Sequence, residues 1–264
     1  MGYSFESRPL TPRTWADLEA LFDLPGGSIV RGCWCMYYRK SGKVLVNSQA
    51  GADNKKQLCE LVDNGVVPGL VGHVDGVPAG WISLGPREDY LKLQRSRIMK
   101  PVDDSRVWSV VCTYVARRHR GQGVQHRLLD AAVRYARERG VRILEAYPVD
   151  KPERSHDDFM FFGSRSLYER AGFTEVIRRS RTRVVMRRRL SPASTQQRST
   201  PLCASFGLLD VSIVGRQAVR FGVWLVDAEG DDPLRMEPDE RAALGGECLC
   251  HAADLDTSHA PRLD

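Results

Sequence analysis

The run Arg118-His119-Arg120-Gly121-Gln122-Gly123 has the residue types and spacing to hold an anion. Gly121 and Gly123 carry no Cβ, so a ligand can approach the backbone there. Arg118 and Arg120 bring positive charge. An apolar run at residues 107–115 precedes this stretch and an amphipathic run at 125–138 follows it. The order is strand, tight turn, helix. A helix that starts there points unpaired backbone N–H groups, and the positive end of its dipole, at whatever sits in the turn. Phosphate is the natural guest.

Two better-known phosphate loops are excluded. The Walker pattern Gly-x-x-x-x-Gly-Lys-Ser/Thr is absent, and the first glycine of Gly-x-Gly-x-x-Gly is missing. What stands is Arg118-x-x-Gly121-x-Gly123, which resembles the pyrophosphate loop of the GNAT N-acetyltransferase superfamily. Downstream, Leu167-Tyr168-Glu169-Arg170-Ala171-Gly172-Phe173 is similar to that superfamily's Leu-Tyr-Glu-x-x-Gly-Phe segment. The resemblance covers residues 3–190. It implies an α/β (α+β) fold with a central mixed, mostly antiparallel sheet of six or seven strands flanked by helices. It also implies acetyl transfer from acetyl-CoA to a primary amine, with no metal.

The elements that must carry these motifs are visible in the periodicity. Residues 5–8 form a short strand candidate. Thr11 offers an N-cap with Pro12 at the first helical position, and Trp15, Leu18, Leu21 and Phe22 recur at helical spacing. Residues 52–64 read as a second helix. Asp75-Gly76 between two apolar runs predicts a hairpin. Residues 87–97 form a polar, partly helical excursion. After the helix at 125–138, residues 141–147 predict a buried strand, 151–158 a charged loop and 163–171 a short helix capped by Gly172. A last hairpin pairs 173–177 with 182–188. The segment Arg31-Gly32-Cys33-Trp34-Cys35-Met36-Tyr37-Tyr38-Arg39 reads as a strand with Cys33 and Cys35 on one face. It resembles a Gly-Cys-Trp-Cys-Met stretch of a bacterial GNAT subgroup. That resemblance implies that Trp34, Tyr37 or Tyr38 lines the acceptor pocket.

Composition bounds the rest. The net charge of +6 conceals an asymmetry: residues 191–264 hold 6 Arg against 12 Asp and Glu, which leaves about +12 on residues 1–190. A basic body suits a polyanionic cofactor such as coenzyme A. Nucleic acid is an alternative guest, but the arginines of 178–189 alternate with Val and Thr and read as the solvated face of a strand. Seven Cys fit no disulfide spacing and read as free thiols in a cytoplasmic protein. No run is long enough to cross a membrane, and the first eight residues lack signal-peptide character. Residues 191–201 have linker composition, so a domain boundary is expected near 190. Beyond it, residues 208–214 and 219–226 offer one hairpin before an acidic tail. Cys248-x-Cys250-His251 has no recognised zinc spacing.

Acetyl transfer to an amine needs the thioester held beside the amine, a proton removed, and the oxyanion and departing thiolate stabilised. The resemblance assigns the pyrophosphate to the N–H groups of Arg120, Gly121, Gln122, Gly123, Val124 and Gln125, and the pantetheine arm to the backbone at Thr113 and Val115. An N–H near Cys112 or Thr113 is the oxyanion donor. Tyr168 protonates or hydrogen-bonds the leaving thiolate, as suits a phenol with a pKa near 10. The Asn that the superfamily often places before this Tyr is missing, and Ser164 is the substitute its position offers. The strand at 108–115 contains no carboxylate, so the base stays open between Glu145, Asp103, Asp104 and water. Cys112 offers an acyl-thioester route, with direct transfer preferred. Glu88, Asp89, Asp157 and Asp158 are acidic residues suited to attracting a cationic amine. The acceptor is a small-molecule or peptide amine, and a homodimer is an open alternative. A non-catalytic CoA-binding module and a nucleic-acid-binding protein are the alternative functions.

Overall fold

A computed structural model describes residues 2–41, 48–150 and 161–191. The charged loop at 151–158 (with Asp157 and Asp158), the hairpin candidates at 208–226 and the Cys248–His251 cluster lie outside the described residues. Among the described residues, no helix is long and apolar enough to cross a membrane.

The chain opens with strand β1 (Phe5–Pro9). Pro12 begins a 3-10 turn, where the Thr11 N–H donates to Thr14 Oγ1 at 2.9 Å. Helix α1 (Trp15–Asp23) follows and buries Trp15, Leu18, Leu21 and Phe22. Helix α2 (Ser28–Cys33) comes next, where a strand was expected. The correction has a tertiary cause. Trp34 and Cys35 both adopt left-handed backbone, at φ 45° and 52°. For non-glycine residues this costs about 1–2 kcal/mol each. Packing offsets it: the Trp34 ring stacks on Trp15 with centroids 5.8 Å apart and meets Phe22 edge-on at 5.1 Å. The Trp81 indole N–H donates to Cys35 Sγ at 3.0 Å.

Helix α3 (Ser48–Asp63) begins four residues before its expected start. Strands β2 (Gly69–Val74) and β3 (Val77–Pro86) form the expected hairpin, with Asp75 and Gly76 both at positive φ. Asp75 Oδ1 also accepts from the Ser4 N–H at 2.8 Å. A short helix α4 (Leu91–Arg95) precedes β4 (Trp108–Val115) and α5 (Val124–Glu138). The buried face of α5 includes Leu128, Leu129, Ala132, Val133 and Ala136, one stripe at the 3.6-residue period. Strand β5 (Ile143–Ala146), helix α6 (Arg165–Arg170) and the hairpin β6 (Thr174–Ser180) and β7 (Arg183–Arg189) complete the domain.

The seven strands form one sheet in the order β1-β2-β3-β4-β5-β7-β6. Only β4 and β5 run parallel, joined by the α5 crossover. One apolar core lies against α1, α2 and α3 and includes Trp34, Trp81, Tyr114 and Phe162. The other includes α5 residues with Leu144, Tyr168 and Met186. A bulge interrupts β4: Ser83 pairs with Cys112 and Leu84 with Val110, leaving Val111 as the extra residue. β4 and β5 pair only over Trp108–Val110 and Leu144–Ala146. Beyond Val110 they part.

Candidate active site

The parting of β4 and β5 creates a fork, and residues 161–165 run into it. Thr113 N–H donates to the Phe161 carbonyl at 2.6 Å, and its hydroxyl donates to the same oxygen at 3.1 Å. On the other prong, Val149 N–H donates to the Gly163 carbonyl and Arg165 N–H to the Val149 carbonyl, both at 3.0 Å. The Thr113 N–H expected to meet a cofactor arm is engaged here by the chain itself. The Val115 carbonyl likewise accepts from Arg120 Nε at 3.1 Å.

On the α5 side lies a cavity of about 360 Å³, lined by Val115, His119, Arg120, Gly121, Gly123, Val124, Gln125, His126, Leu167 and Arg170. Gly121 and Gly123 sit at φ 75° and 81°, which explains glycine at both positions. A Cβ on Gly121 would meet nothing within 4 Å, so the space above it is open. Arg120 N–H closes the 3-10 turn onto Arg117, and the first α5 bond at the turn is from His126 N–H to the Gly123 carbonyl. Among the described residues, the N–H groups of 121–125 between them have no acceptor. This is an unfilled row of donors at a helix N-terminus. Burial, and then the Arg118 charge, hold the His119 pKa below its ordinary value. Arg118 does not line the cavity: its Nε donates to His119 Nε2 at 3.0 Å. Gln122 is turned the same way, with Nε2 on the Arg118 carbonyl and its own carbonyl accepting from Tyr3 Oη. Gln125 Nε2 donates to Thr113 Oγ1 at 2.7 Å and ties the cradle to the fork.

Across the sheet, a second cavity of about 370 Å³ is lined by residues that include Tyr37, Tyr38, Cys33, Cys35, Cys112, Phe161, Phe162 and Arg183. Trp34 is not among them. It is 5% exposed and packs in the core, because the left-handed turn sends its ring toward Trp15. Tyr38 meets Phe162 edge-on at 5.1 Å, and burial pushes its phenol up. The Cys112 thiol bonds toward Cys35; this bond and burial raise the Cys112 pKa well above the ordinary thiol value, while the bond from Cys112 lowers that of Cys35. Cys112 is thus held as a thiol by its Cys35 bond and by burial.

Tyr168 lies at 0% exposure on α6, on the side facing α5, and its Oη has no partner in the structure. Burial is the first cause raising its pKa, and the nearby Cys112 adds to it. Gly163 lies against it: a Cβ there would stand 3.3 Å from both Tyr168 Cε2 and Gln125 Nε2. The same position, with φ 76°, explains the glycine at the end of the fork segment. Ser164 serves another purpose than expected. Its Oγ accepts from Leu167 N–H at 3.3 Å as the N-cap of α6.

Glu145, a candidate base, is enclosed. It is 0% exposed, and its two oxygens accept from Arg187 Nε at 2.7 Å and Tyr147 Oη at 2.6 Å, with Arg87 Nη1 at 3.4 Å. A carboxylate so enclosed is a structural anion with no lone pair aimed at either cavity. Asp103 pairs with Arg187 at 2.7 Å, and that bond holds its pKa well below the usual carboxylate range. Asp89 pairs with Arg39 at 3.2 Å. Neither Glu88, Asp89 nor Asp104 lines the second cavity.

Arg183 and the two phenylalanines were not singled out from sequence. The arginines of β7 were expected on a solvated face, yet Arg187 is 9% exposed on Glu145, and Arg183 lines the cavity. Arg178 pairs with Asp150 and Glu175, and Arg179 donates to the carbonyls of Ile98, Lys100 and Pro101. The arginines named in the nucleic-acid reading are thus largely spent within the protein. No signal in the local sequence distinguishes an inward arginine from an outward one on a strand buried on both faces.

Residues 48–173 match the acetyltransferase (GNAT) family model. No curated protein matches the chain. Among solved structures, an N-acetyltransferase from Staphylococcus aureus Mu50 is similar at 13% identity, covering 71% of this chain and 99% of its own, with a TM-score of 0.42. Ribosomal-protein-alanine N-acetyltransferase from Brucella melitensis is 19% identical over 70% of this chain and 99% of its own, with a TM-score of 0.41. PaiA N-acetyltransferase from Thermoplasma acidophilum in complex with coenzyme A is 15% identical, with the same two coverages and a TM-score of 0.41.

Proposed function

We propose that this chain is an acetyl-CoA-dependent N-acetyltransferase that passes an acetyl group directly to a primary amine. The observation that carries the reading is the row of unpaired N–H groups at 121–125, opening on a basic cavity inside the segment that matches the GNAT family model. Two further features support a CoA fit. No Asp or Glu lines that cavity, and the space above Gly121 is open. In this reading the donor row and Arg120 hold the pyrophosphate. Acetyl-CoA, when bound, supplies the acetyl group as a thioester.

The remaining work falls to the chain's own residues. Tyr168 keeps its proton through neutral pH because its phenol is buried, and it holds that proton at Oη for a departing thiolate. Gln125 orients Thr113 at the fork. Tyr38 and Phe162 exclude water from the acceptor side. Phe161 must give up the Thr113 N–H if the cofactor arm is to pair with β4.

That last contact, with the enclosure of Glu145, favours one second reading: a CoA-binding module without catalysis. Thermal melting of the full chain with and without acetyl-CoA, followed by thiol release against a panel of amines, separates the two. The enzyme reading predicts a rise in melting temperature by linkage, about 2.7 kcal/mol of stabilisation at one hundred times Kd, and thiol release. Gly121→Asp abolishes the rise, since it places a carboxylate at a left-handed position in the cradle. A rise without thiol release for any amine supports the module. No rise in folded protein overturns both.

A further inference from the structure

Among the described residues, the second cavity is lined by one full charge, and it is positive. Arg183 lines it beside Tyr38, Phe162 and Cys112. Its guanidinium lies over the Phe162 ring, 4.7 Å from the centroid, and Nη1 donates to the Tyr147 carbonyl at 2.8 Å. These contacts orient the group and neutralise none of its charge.

Its neighbours are treated differently. Arg187 meets Glu145 and Asp103, Arg87 meets Glu145, Arg39 meets Asp89, and Arg178 meets Asp150 and Glu175. Among the described residues, Arg183 faces no carboxylate, and none lines the cavity. A guanidinium desolvated without a counter-ion is costly, and burial lowers its pKa accordingly. A ligand carboxylate would supply the missing anion, in the paired geometry that a guanidinium favours. Aromatic and aliphatic walls, Ile29 and Val30 among them, suit an apolar body.

We propose that this cavity takes an amine that also carries a carboxylate on an apolar body, and that Arg183 binds the carboxylate. The inference rests on the acetyltransferase reading for the amine alone. It disfavours polycationic amines as acceptors, because the described lining offers them a like charge and no anion.

Two arms test it on the full chain. In the first, calorimetry compares 3-phenylpropanoate with 3-phenylpropan-1-ol, which needs no acetyl transfer. The acid is expected to bind at least tenfold tighter. Arg183→Gln should abolish the preference without lowering alcohol binding, and Arg183→Lys should restore part of it. Equal binding of acid and alcohol, or equal loss of both in Arg183→Gln, overturns the proposal. In the second arm, thiol release with acetyl-CoA compares phenylalanine, phenethylamine and spermidine. A kcat/KM at least tenfold higher for phenylalanine, with the Arg183→Gln loss carried by KM, supports it. Faster turnover of phenethylamine or spermidine overturns it. Carboxylate preference in the first arm with no thiol release from any amine keeps the anion site and overturns only the transferase reading.

Discussion

The two cavities that flank β4 are built from different materials. The cradle at 119–125 is made of backbone: two glycines at positive φ, a row of N–H groups and the first turn of α5. All of it comes from one short stretch of chain. The second cavity is made of side chains from α2, the turn after it, β4, the fork segment and β7. A backbone site is fixed by local geometry and tolerates change around it. A side-chain site depends on every element that brings a wall.

The largest expected effect breaks the second cavity and spares the first. Tyr147 packs edge-on to Phe162 at 5.8 Å, and Tyr147 is held from below by Glu145 and Arg87. Glu145→Ala leaves Arg87 buried without its anion and Arg187 with Asp103 alone. It should cost about 3–5 kcal/mol, roughly 10 °C in melting temperature. In the protein that remains folded, acetyl-CoA affinity by calorimetry should change less than twofold. Loss of cofactor binding at temperatures where the variant is folded would show that the two sites are not separable.

A smaller effect is expected at Tyr168, which is buried and lines neither cavity. Tyr168→Phe removes a hydroxyl that has no partner, so stability should hold or rise by about 1 kcal/mol. Turnover should fall about 100-fold, as loss of a general acid does, with both substrate affinities unchanged. Unchanged turnover would reduce Tyr168 to packing.

The smallest effect belongs to the cradle alone. His119 has a folded pKa below its model-compound value of 6.5 and is neutral at pH 7. Acidification through the folded value adds a positive charge beside the donor row, so acetyl-CoA affinity should rise about twofold. The stability of the unliganded protein runs the opposite way. Between the folded pKa and 6.5 the unfolded chain binds more protons, so stability falls as pH falls through that window. His119→Gln should flatten both trends, which calorimetry and melting across pH 5–8 would detect.

The same contrast of materials governed what the sequence revealed. Strand, glycine turn and amphipathic helix at 107–138 are local patterns and stand where expected. So does the Asp75-Gly76 hairpin, whose turn geometry two residues determine. Residues 31–39 were misread because alternation there looks like a strand, while the rings of Trp15 and Phe22 draw Trp34 into a left-handed turn. Ser164 was legible as a hydroxyl near the motif, but its capping bond depends on where α6 begins. Glu145 and Arg187 are cross-strand partners, as are the walls around Arg183. Partners that meet only through sheet register leave no mark in linear spacing. The separation of the two cavities is also a tertiary fact, since β4 lines both.

The extra residue at Val111 changes what kind of object β4 is. Up to Val110 the strand is a partition, paired on both sides and sealing one half of the interior from the other. Past the bulge its far side is unlatched from β5, and the fork segment closes the gap instead through Phe161 on Thr113. In the proposed reading, Phe161 is then a latch: once it releases Thr113, molecules held on opposite faces would meet across the thickness of a single strand. A transferase so built would hold both partners at once and need never carry the acetyl group itself.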